Sequence, residues 1–286
     1  MLLISNQHAF PTAHSARAGA AGPASFAPST FGQAGKLVRM GRIFGEDGRC
    51  LVLPLDHGTQ LGRVPGLEDP LGALASFIDA GCDGFLLGPG VLRRSAPLFA
   101  RRDAPARLLT ADLYWADAAG SGHEAAVAAE LAASLGADAI KVFMPWDVGA
   151  ADRSRTASLI ARLIEGAEPL GMPVMVEPIV LEAEPGPEAV EIATHGCRVA
   201  VELGADIIKL AHPGDLDLLG ALAAESGVPL VLLGGPGASA PDELVEMVAE
   251  AVKAGASGIV IGRKVWQRPL PEAVELLARL RGAVHD

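Results

Sequence analysis

Apolar and polar positions alternate regularly along this chain between residues 50 and 262. Short apolar runs of strand length are separated by longer segments in which apolar residues recur at helical spacing. We therefore predict eight strands, at 51–56, 84–88, 107–113, 137–143, 173–177, 205–210, 229–234 and 258–262. The helical segments between them include 124–135, 153–170, 188–203 and 241–254.

Eight strand-and-helix units in succession predict the fold class, an α/β protein built as a single (β/α)8 barrel. We assign residues 37–286 to this barrel, as the catalytic domain. Residues 1–36 are rich in Ala, Ser, Gly and Pro and show no apolar periodicity, so we predict a flexible N-terminal extension. An organelle transit peptide is an alternative for this segment, although it contains a single arginine.

A phrase of small residues recurs where helices end and strands begin. It occurs at 80–84, 135–138, 203–206 and 254–257, each time with a glycine followed by Ala or Cys and then Asp or Ser. Glycine accepts the left-handed conformation that commonly ends a helix. We interpret these phrases as joints of the scaffold without a direct catalytic role.

Composition and charge narrow the class of partner. The 286 residues carry a formal net charge of −11, which disfavours nucleic acid and anionic membranes as partners. The three cysteines, Cys50, Cys82 and Cys197, are far apart and form no metal-binding motif, so we expect neither a disulfide framework nor structural zinc. No apolar stretch approaches the roughly 18 to 20 residues of a membrane span. We predict a cytoplasmic protein that acts on a small molecule.

Two near-identical segments each end a predicted strand with a lysine. They are Gly136-Ala-Asp-Ala-Ile-Lys141 and Gly204-Ala-Asp-Ile-Ile-Lys209. Burial disfavours the charged form of an amine, and a neutral amine is a nucleophile toward carbonyls. We predict that Lys209 forms a Schiff base and that the charge of Lys141 favours the neutral amine at Lys209 and stabilises a developing alkoxide. The alternatives are a structural ion pair for Lys209, and an ion pair of Lys141 with Asp56 or Glu177.

Two carboxylates and two histidines follow apolar strands in the same way. We expect desolvation to raise the pKa of Glu177, which would suit it to proton transfer, and we expect Asp56 to hold a substrate hydroxyl or to assist proton transfer. Both could instead be simple ion-pair partners. His57 and His212 are candidates for substrate hydrogen bonds or for ordinary loop histidines. A metal site formed by His57, Glu177 and His212 is conceivable, but no ligand spacing supports it.

Two glycine-containing turns follow the last two predicted strands. Gly234-Gly235 and Gly262-Arg263 occupy the place where many barrels bind phosphate through backbone N–H groups. We predict a phosphorylated substrate held there, with Arg263 as a cation able to form two hydrogen bonds. Tight turns without a ligand are the alternative.

Four motifs in this order resemble the archaeal-type fructose-bisphosphate aldolases of class I. The motifs are Asp56-His57-Gly58, the segment ending at Lys209, Gly234-Gly-Pro236 and Gly258-Ile-Val-Ile-Gly-Arg263, and the resemblance covers about residues 38–270. Lys141 and Glu177 look instead like the lysine and glutamate of tagatose-bisphosphate and sulfofructose-phosphate aldolases, whereas the archaeal-type enzymes commonly have a tyrosine near the end of strand 5. Gly237 also replaces the lysine of their Gly-Gly-Pro-Lys.

The resemblance implies an aldehyde-lyase that cleaves or forms a carbon–carbon bond of a phosphorylated ketose through a lysine imine. It implies dihydroxyacetone phosphate as donor, no metal or other cofactor, and a homo-oligomer. The alternatives are a biosynthetic or transaldolase-like aldolase that uses a semialdehyde acceptor, a barrel that binds a phosphorylated metabolite without catalysis, and a metal-dependent lyase.

Overall fold

Eight parallel strands close into a barrel in the structure, a computed structural model that describes residues 31–117, 120–146, 148–180, 186–235 and 239–286. Each strand pairs with the next along the chain, and the last strand pairs with the first. This arrangement confirms the predicted (β/α)8 barrel. The barrel strands are β1 (Cys50–Pro54), β2 (Gly84–Leu87), β3 (Ala106–Thr110), β6 (Ala139–Pro145), β7 (Val174–Ile179), β8 (Ile207–Ala211), β9 (Leu230–Leu233) and β10 (Gly258–Val260).

Helices connect these strands on the outside of the barrel. Helix α11 has the predicted bounds of 241–254, whereas the predicted helix 188–203 is divided into α8, a π-helical turn and α9. The helices are α1 (Phe31–Ile43), α2 (Gly58–Leu61), α3 (Pro70–Phe77), α4 (Pro89–Arg94), α5 (Ala96–Phe99), α6 (Ala129–Ser134), α7 (Ala150–Ala167), α8 (Pro187–Glu191), α9 (Cys197–Leu203), α10 (Leu216–Ser226), α11 (Pro241–Ala254), α12 (Arg263–Trp266) and α13 (Leu270–His285).

An antiparallel hairpin interrupts the alternation after the third barrel strand. Strands β4 (Asp112–Asp117) and β5 (Gly120–Ala125) pair with each other and not with the barrel. The predicted strand 107–113 is therefore too long at its end, since β3 ends at Thr110. The predicted helix 124–135 begins too early, since α6 begins at Ala129. Local apolar spacing shows that a strand forms but not which strand it pairs with.

Helix α1 covers the amino-terminal end of the barrel. Its Met40 and Ile43, with Phe44, are buried against residues at the starts of the strands. Lys36 of α1 also pairs with Glu168 at 2.6 Å and with Asp206 at 2.9 Å. The helix begins before the predicted boundary between residues 36 and 37, so 31–36 are helical. Residues 1–30 lie outside the described residues, and their flexibility stays a prediction.

The aspartate of the repeated joint phrase has the same role at three places. One carboxylate oxygen accepts a hydrogen bond from a backbone N–H of the preceding barrel strand, at 2.6–2.9 Å. The other oxygen pairs with a basic side chain that comes from α1 or α13. The sets are Asp83 with Leu51 N and Arg281, Asp138 with Arg107 N and Arg42, and Asp206 with Val174 N and Lys36. These contacts give the repeat a structural role.

Side chains alternate between the two faces of each strand, and the inward-facing positions change character along the barrel. The first inward layer is apolar and includes Leu108, Ala139, Met175 and Ile207. Two residues further along the same strands, the inward positions are polar: Thr110, Lys141, Glu177 and Lys209. The fold therefore places a ring of polar groups toward the carboxyl ends of the strands. No helix in the described part of the chain is long and apolar enough to span a bilayer.

Candidate active site

A buried carboxylate lies between the two predicted lysines. Glu177 Oε1 is 2.7 Å from Lys209 Nζ, and Glu177 Oε2 is 2.9 Å from Lys141 Nζ. The Lys141 and Glu177 side chains are 0% and 2% exposed, and that of Lys209 is 9% exposed. The barrel thus brings together three residues from three neighbouring strands. Lys141 pairs with Glu177, one of the two ion-pair partners that the sequence left open.

The two ammonium groups decide the protonation state of Glu177. Burial by itself raises the pKa of this carboxyl, but the charges of Lys141 and Lys209 and the hydrogen bond from Lys209 outweigh burial and hold the pKa below its ordinary value. The expectation of a raised pKa is therefore wrong, because the strand pattern shows the burial of Glu177 but not its two cationic neighbours. Glu177 is an ionised proton acceptor in the free protein.

Asp56 is a second buried carboxylate close to the same lysines. Burial raises its pKa, but the charges of Lys141 and Lys209 and a hydrogen bond from the Thr110 hydroxyl reverse the shift, so that the pKa lies below its ordinary value. Sequence reasoning did not single out Thr110. Its inward position, two residues after Leu108 on β3, was the signal that could have identified it.

Both predicted histidines are neutral near pH 7. Burial lowers the pKa of His57, and Lys209 and Arg263 lower it further although Asp56, 3.7 Å away, opposes them. Burial also lowers the pKa of His212. His212 Nδ1 accepts a hydrogen bond from Gly214 N–H at 2.9 Å, so its proton lies on Nε2, which can donate to a ligand.

Glycine occupies the positions in the last two turns for different structural reasons. A Cβ at Gly234 would lie 2.7 Å from Ile261 Cγ1, and one at Gly262 would lie 2.9 Å from Pro54 Cγ. Packing within the protein therefore accounts for these two glycines. Gly235 has a φ of +67°, and a Cβ there would have no neighbour within 4 Å. Arg263 is half-buried and close enough to His57 to affect its pKa. Pro236 and Gly237 lie outside the described residues.

Buried polar atoms without a hydrogen-bond partner concentrate near this site. Native proteins pair most buried polar groups, so a group of unpaired atoms marks a place where water or a ligand supplies the partners. Lys141 Nζ and Glu177 Oε2 belong to this set because their 2.9 Å contact is an ion pair that is not aligned as a hydrogen bond. Within the described residues, the set near the carboxyl ends of the strands is His57 Nδ1, Gln60 Nε2, Asp112 Oδ1, Lys141 Nζ, Trp146 Nε1 and Glu177 Oε2.

The histidine, cysteine, aspartate and glutamate side chains of the described ranges do not form a metal site. No group of three or more His, Cys, Asp or Glu residues there is arranged to hold a metal ion. Cys50, Cys82 and Cys197 are buried and unpaired as thiols.

Sequence comparison matches most of the chain to aldolases. A family model described as DeoC/LacD family aldolase matches residues 50–268. The 2-amino-3,7-dideoxy-D-threo-hept-6-ulosonate synthase of Halobacterium salinarum is 30% identical over 255 residues, which are 88% of this chain and 92% of the relative. The class 1 fructose-bisphosphate aldolase of Thermoproteus tenax is 29% identical over 247 residues, which are 79% of this chain and 87% of the relative.

Solved structures give the same result. A Schiff-base-forming fructose-1,6-bisphosphate aldolase, studied through its reaction intermediates, is similar with a TM-score of 0.74 and 26% identity, over 87% of this chain and 100% of that one. An archaeal fructose-1,6-bisphosphate aldolase whose catalytic lysine is covalently bound to the carbinolamine intermediate has a TM-score of 0.74 and 25% identity, over 88% and 100% of the two chains.

Proposed function

We propose that Lys209 forms the imine with a phosphorylated ketose, because this chain belongs to the DeoC/LacD family of aldolases and is a class I, Schiff-base-forming aldehyde-lyase. The observation that carries this proposal is the position of Glu177, with one carboxylate oxygen 2.7 Å from Lys209 and the other 2.9 Å from Lys141. A nucleophilic amine needs an adjacent base, and Glu177 is an ionised carboxylate at hydrogen-bonding distance.

Imine formation uses one proton that Glu177 accepts and returns. The Lys209 ammonium gives a proton to Glu177 Oε1, and the free amine attacks the ketose carbonyl carbon. As the C–N bond forms, the carbonyl oxygen becomes an alkoxide beside the Lys141 ammonium and takes a proton from the attacking nitrogen. Glu177 then gives its proton to the carbinolamine hydroxyl, water leaves, and a protonated imine remains. One ammonium and one ketone have become one protonated imine and one water.

Bond cleavage follows from the same arrangement. Glu177 is again a carboxylate after water has left, so it accepts the proton of the C4 hydroxyl while the C3–C4 electron pair moves toward the protonated imine. The aldehyde is released and an enamine remains on Lys209. Asp56, which accepts a hydrogen bond from the Thr110 hydroxyl, is the group that we propose holds a substrate hydroxyl. Protonation of the enamine and hydrolysis of the imine release the ketone.

Dihydroxyacetone phosphate is the proposed donor. The chain as a whole has a net charge of −11, yet Lys141, Lys209 and Arg263 gather beside two carboxylates and the neutral His57. This local excess of positive charge favours an anionic substrate. Arg263 and the backbone N–H groups of Gly235 and Gly262 are the proposed phosphate ligands. Gly234, which the sequence predicted as a third, is excluded because its N–H already donates to the carbonyl oxygen of Val260 at 3.1 Å. His57 and His212 supply further hydrogen bonds. The reaction needs no metal, so turnover should be undiminished after treatment with a chelator.

Borohydride trapping tests the assignment of the nucleophile. Incubation with dihydroxyacetone phosphate and reduction should give an adduct that peptide mass spectrometry locates on Lys209. Lys209→Met should abolish both the adduct and turnover, whereas Lys141→Met should retain the adduct and lower kcat by about 10²-fold. Lys253→Met, at an exposed position of α11, is the matched control and should behave as the wild type. An adduct on Lys141, or turnover by Lys209→Met, would refute the assignment.

A biosynthetic reaction is the second candidate, favoured by the 30% identity to the Halobacterium salinarum synthase. The imine chemistry would be the same, but the enamine would attack a semialdehyde. Measuring dihydroxyacetone phosphate release from a panel of ketose phosphates separates the two candidates. Release at high kcat/KM indicates the ketose-phosphate reaction, and consumption of donor only in the presence of a semialdehyde indicates the synthetic one.

A further inference from the structure

The hairpin β4–β5 contains a buried carboxylate–imidazole pair that the proposed reaction does not use. Asp112 is wholly buried, and its Oδ2 accepts hydrogen bonds from His123 Nε2 at 2.7 Å and from the backbone N–H of Phe143 at 2.9 Å. His123 Nδ1 is 2.9 Å from Thr156 Oγ1 on α7. Because a carboxylate only accepts, His123 carries a proton on Nε2. The pair thus connects the hairpin with β6 and α7.

Phe143 is the link between this pair and the lysines. It lies two residues after Lys141 on β6, on the same face, and Lys141 Nζ lies over its ring, 2.8 Å from the centroid. In the register of the barrel Phe143 is also the partner of Glu177. The hydrogen bond from Phe143 N–H to Asp112 therefore fixes the residue that contacts the Lys141 ammonium and adjoins its carboxylate.

The hairpin has further attachments that make it a fixed support. Trp115 Nε1 donates a hydrogen bond to the carbonyl oxygen of Gln60 in α2 at 3.2 Å. The ring of Tyr114 packs edge-on against that of His123, with centroids 5.6 Å apart. The hairpin is thereby fixed to α2 on one side and to α7 and β6 on the other.

We propose that Asp112, oriented by His123, is a positioning residue that sets the place of Lys141 beside Glu177. This inference rests on the proposed function, in which Lys141 stabilises the developing alkoxide. Misplacement of a catalytic group by about 1 Å can lower a rate by about 10²-fold, so a partial shift of Lys141 should lower kcat by about 10-fold. Substrate affinity should change less, because both hydrogen bonds of Asp112 Oδ2 are to groups of the protein, His123 Nε2 and the Phe143 N–H.

Asparagine is the matched control at this position. An amide oxygen accepts two hydrogen bonds as Asp112 Oδ2 does, so Asp112→Asn can keep both contacts, while Asp112→Ala keeps neither. We expect kcat about 10-fold lower in Asp112→Ala and within about 3-fold of the wild type in Asp112→Asn, with KM within about 2-fold in both. His123→Phe, which keeps Asp112 and its bond to Phe143, should fall between them and serves if Asp112→Ala does not fold.

A double-mutant cycle distinguishes positioning from general structural support. In the Lys141→Met background, Asp112→Ala and His123→Phe should cause no further loss of kcat beyond about 2-fold. A loss that multiplies with that of Lys141→Met, an Asp112→Asn variant as slow as Asp112→Ala, or folded variants with wild-type kcat would each overturn the proposal. The borohydride adduct on Lys209 of the wild type tests the proposed function separately, since its absence would refute that function whatever the cycle shows.

Discussion

The carboxyl of Glu177 has two cationic neighbours and almost no contact with solvent. A single buried ion pair balances desolvation against attraction, and removing one partner leaves the other charge uncompensated. Here one carboxylate compensates two ammonium groups, so its ionisation is stabilised and it begins the proposed cycle ready to accept a proton. The proposed chemistry depends on this arrangement of two ammonium groups around one carboxylate.

Replacing Glu177 should affect stability and catalysis together. Glu177→Gln leaves Lys141 and Lys209 without their shared carboxylate, so we expect a loss of about 3–5 kcal/mol in the free energy of unfolding and a drop in kcat of about 10²–10⁴-fold. Urea unfolding and steady-state assays measure the two effects. Adding Lys141→Met should recover part of the stability and none of the activity. A Glu177→Gln protein as stable as the wild type would show that the two lysines do not depend on this carboxylate.

The lowered pKa of Glu177 also predicts a pH dependence of stability. Because the pKa is lower in the folded than in the unfolded protein, the stabilisation is fully present above the ordinary value of 4.5 and is lost as the pH falls through the folded value. The advantage of the wild type over Glu177→Gln in free energy of unfolding should be constant from about pH 8 to 5.5 and shrink below about pH 4.5. Asp206, whose pKa burial raises, acts in the opposite sense but is present in both proteins. An advantage that grows on acidification would contradict the assignment.

At the scale of elements, the joints between helices and strands explain why the same phrase recurs. Asp138 accepts the buried backbone N–H of Arg107 with one oxygen and pairs with Arg42 through the other. The backbone hydrogen bond holds β3 in register with β6, whereas Arg42 is 43% exposed and its ion pair is largely screened by solvent. The first contact should therefore contribute more to stability than the second.

Two substitutions at Asp138 separate these contributions. Asp138→Ala leaves the buried N–H of Arg107 without an acceptor, so the free energy of unfolding should fall by about 1–3 kcal/mol. Asp138→Asn keeps an acceptor oxygen and loses only the charge, so it should cost less than about 1 kcal/mol. Chemical denaturation of both variants measures the difference. Equal losses would mean that the ion pair with Arg42 matters as much as the backbone hydrogen bond.

For the whole molecule, α1 completes the core of the barrel at the amino-terminal ends of the strands. Met40 and Ile43, with Phe44, join the apolar layer inside the amino-terminal ends of the strands, while the polar groups of the candidate site lie toward the carboxyl ends. Stability and chemistry are thus placed at opposite ends, as is usual for this fold. The homo-oligomer, the cytoplasmic location and the flexible extension stay predictions.

Truncation tests where the folded unit begins. Removing residues 1–30 should leave the melting temperature and kcat within error of the full chain. Removing residues 1–43 takes away Ile43, which is 0% exposed, and exposes the apolar layer at the amino-terminal ends of the strands. The melting temperature should therefore fall by more than about 5 °C, or the protein should not fold. Thermal unfolding of both forms is the measurement. A large effect of the shorter truncation would show that residues 1–30 belong to the folded unit.

Local patterns along the chain are enough to predict the barrel and the candidate groups at its carboxyl end. Two local regularities suffice for this. Strand and helix segments alternate eight times along the chain. Side chains also alternate along each strand, so that Lys141, Glu177 and Lys209 fall on the same inward face as the apolar residues two positions before them. Both are properties of short stretches of chain, and they can be recognised without knowing which elements meet.

The interactions among these groups depend on the closed fold of the barrel. It placed Glu177 between two lysines from other strands, which reversed the expected direction of its pKa shift. It also paired β4 with β5 and brought Asp112 to the backbone of Phe143. Basic side chains of α1 and α13 were brought to the aspartates of the joints in the same way. Charges and hydrogen bonds act over about 3 Å in space, and only closure of the barrel brings residues that are tens of positions apart within that distance.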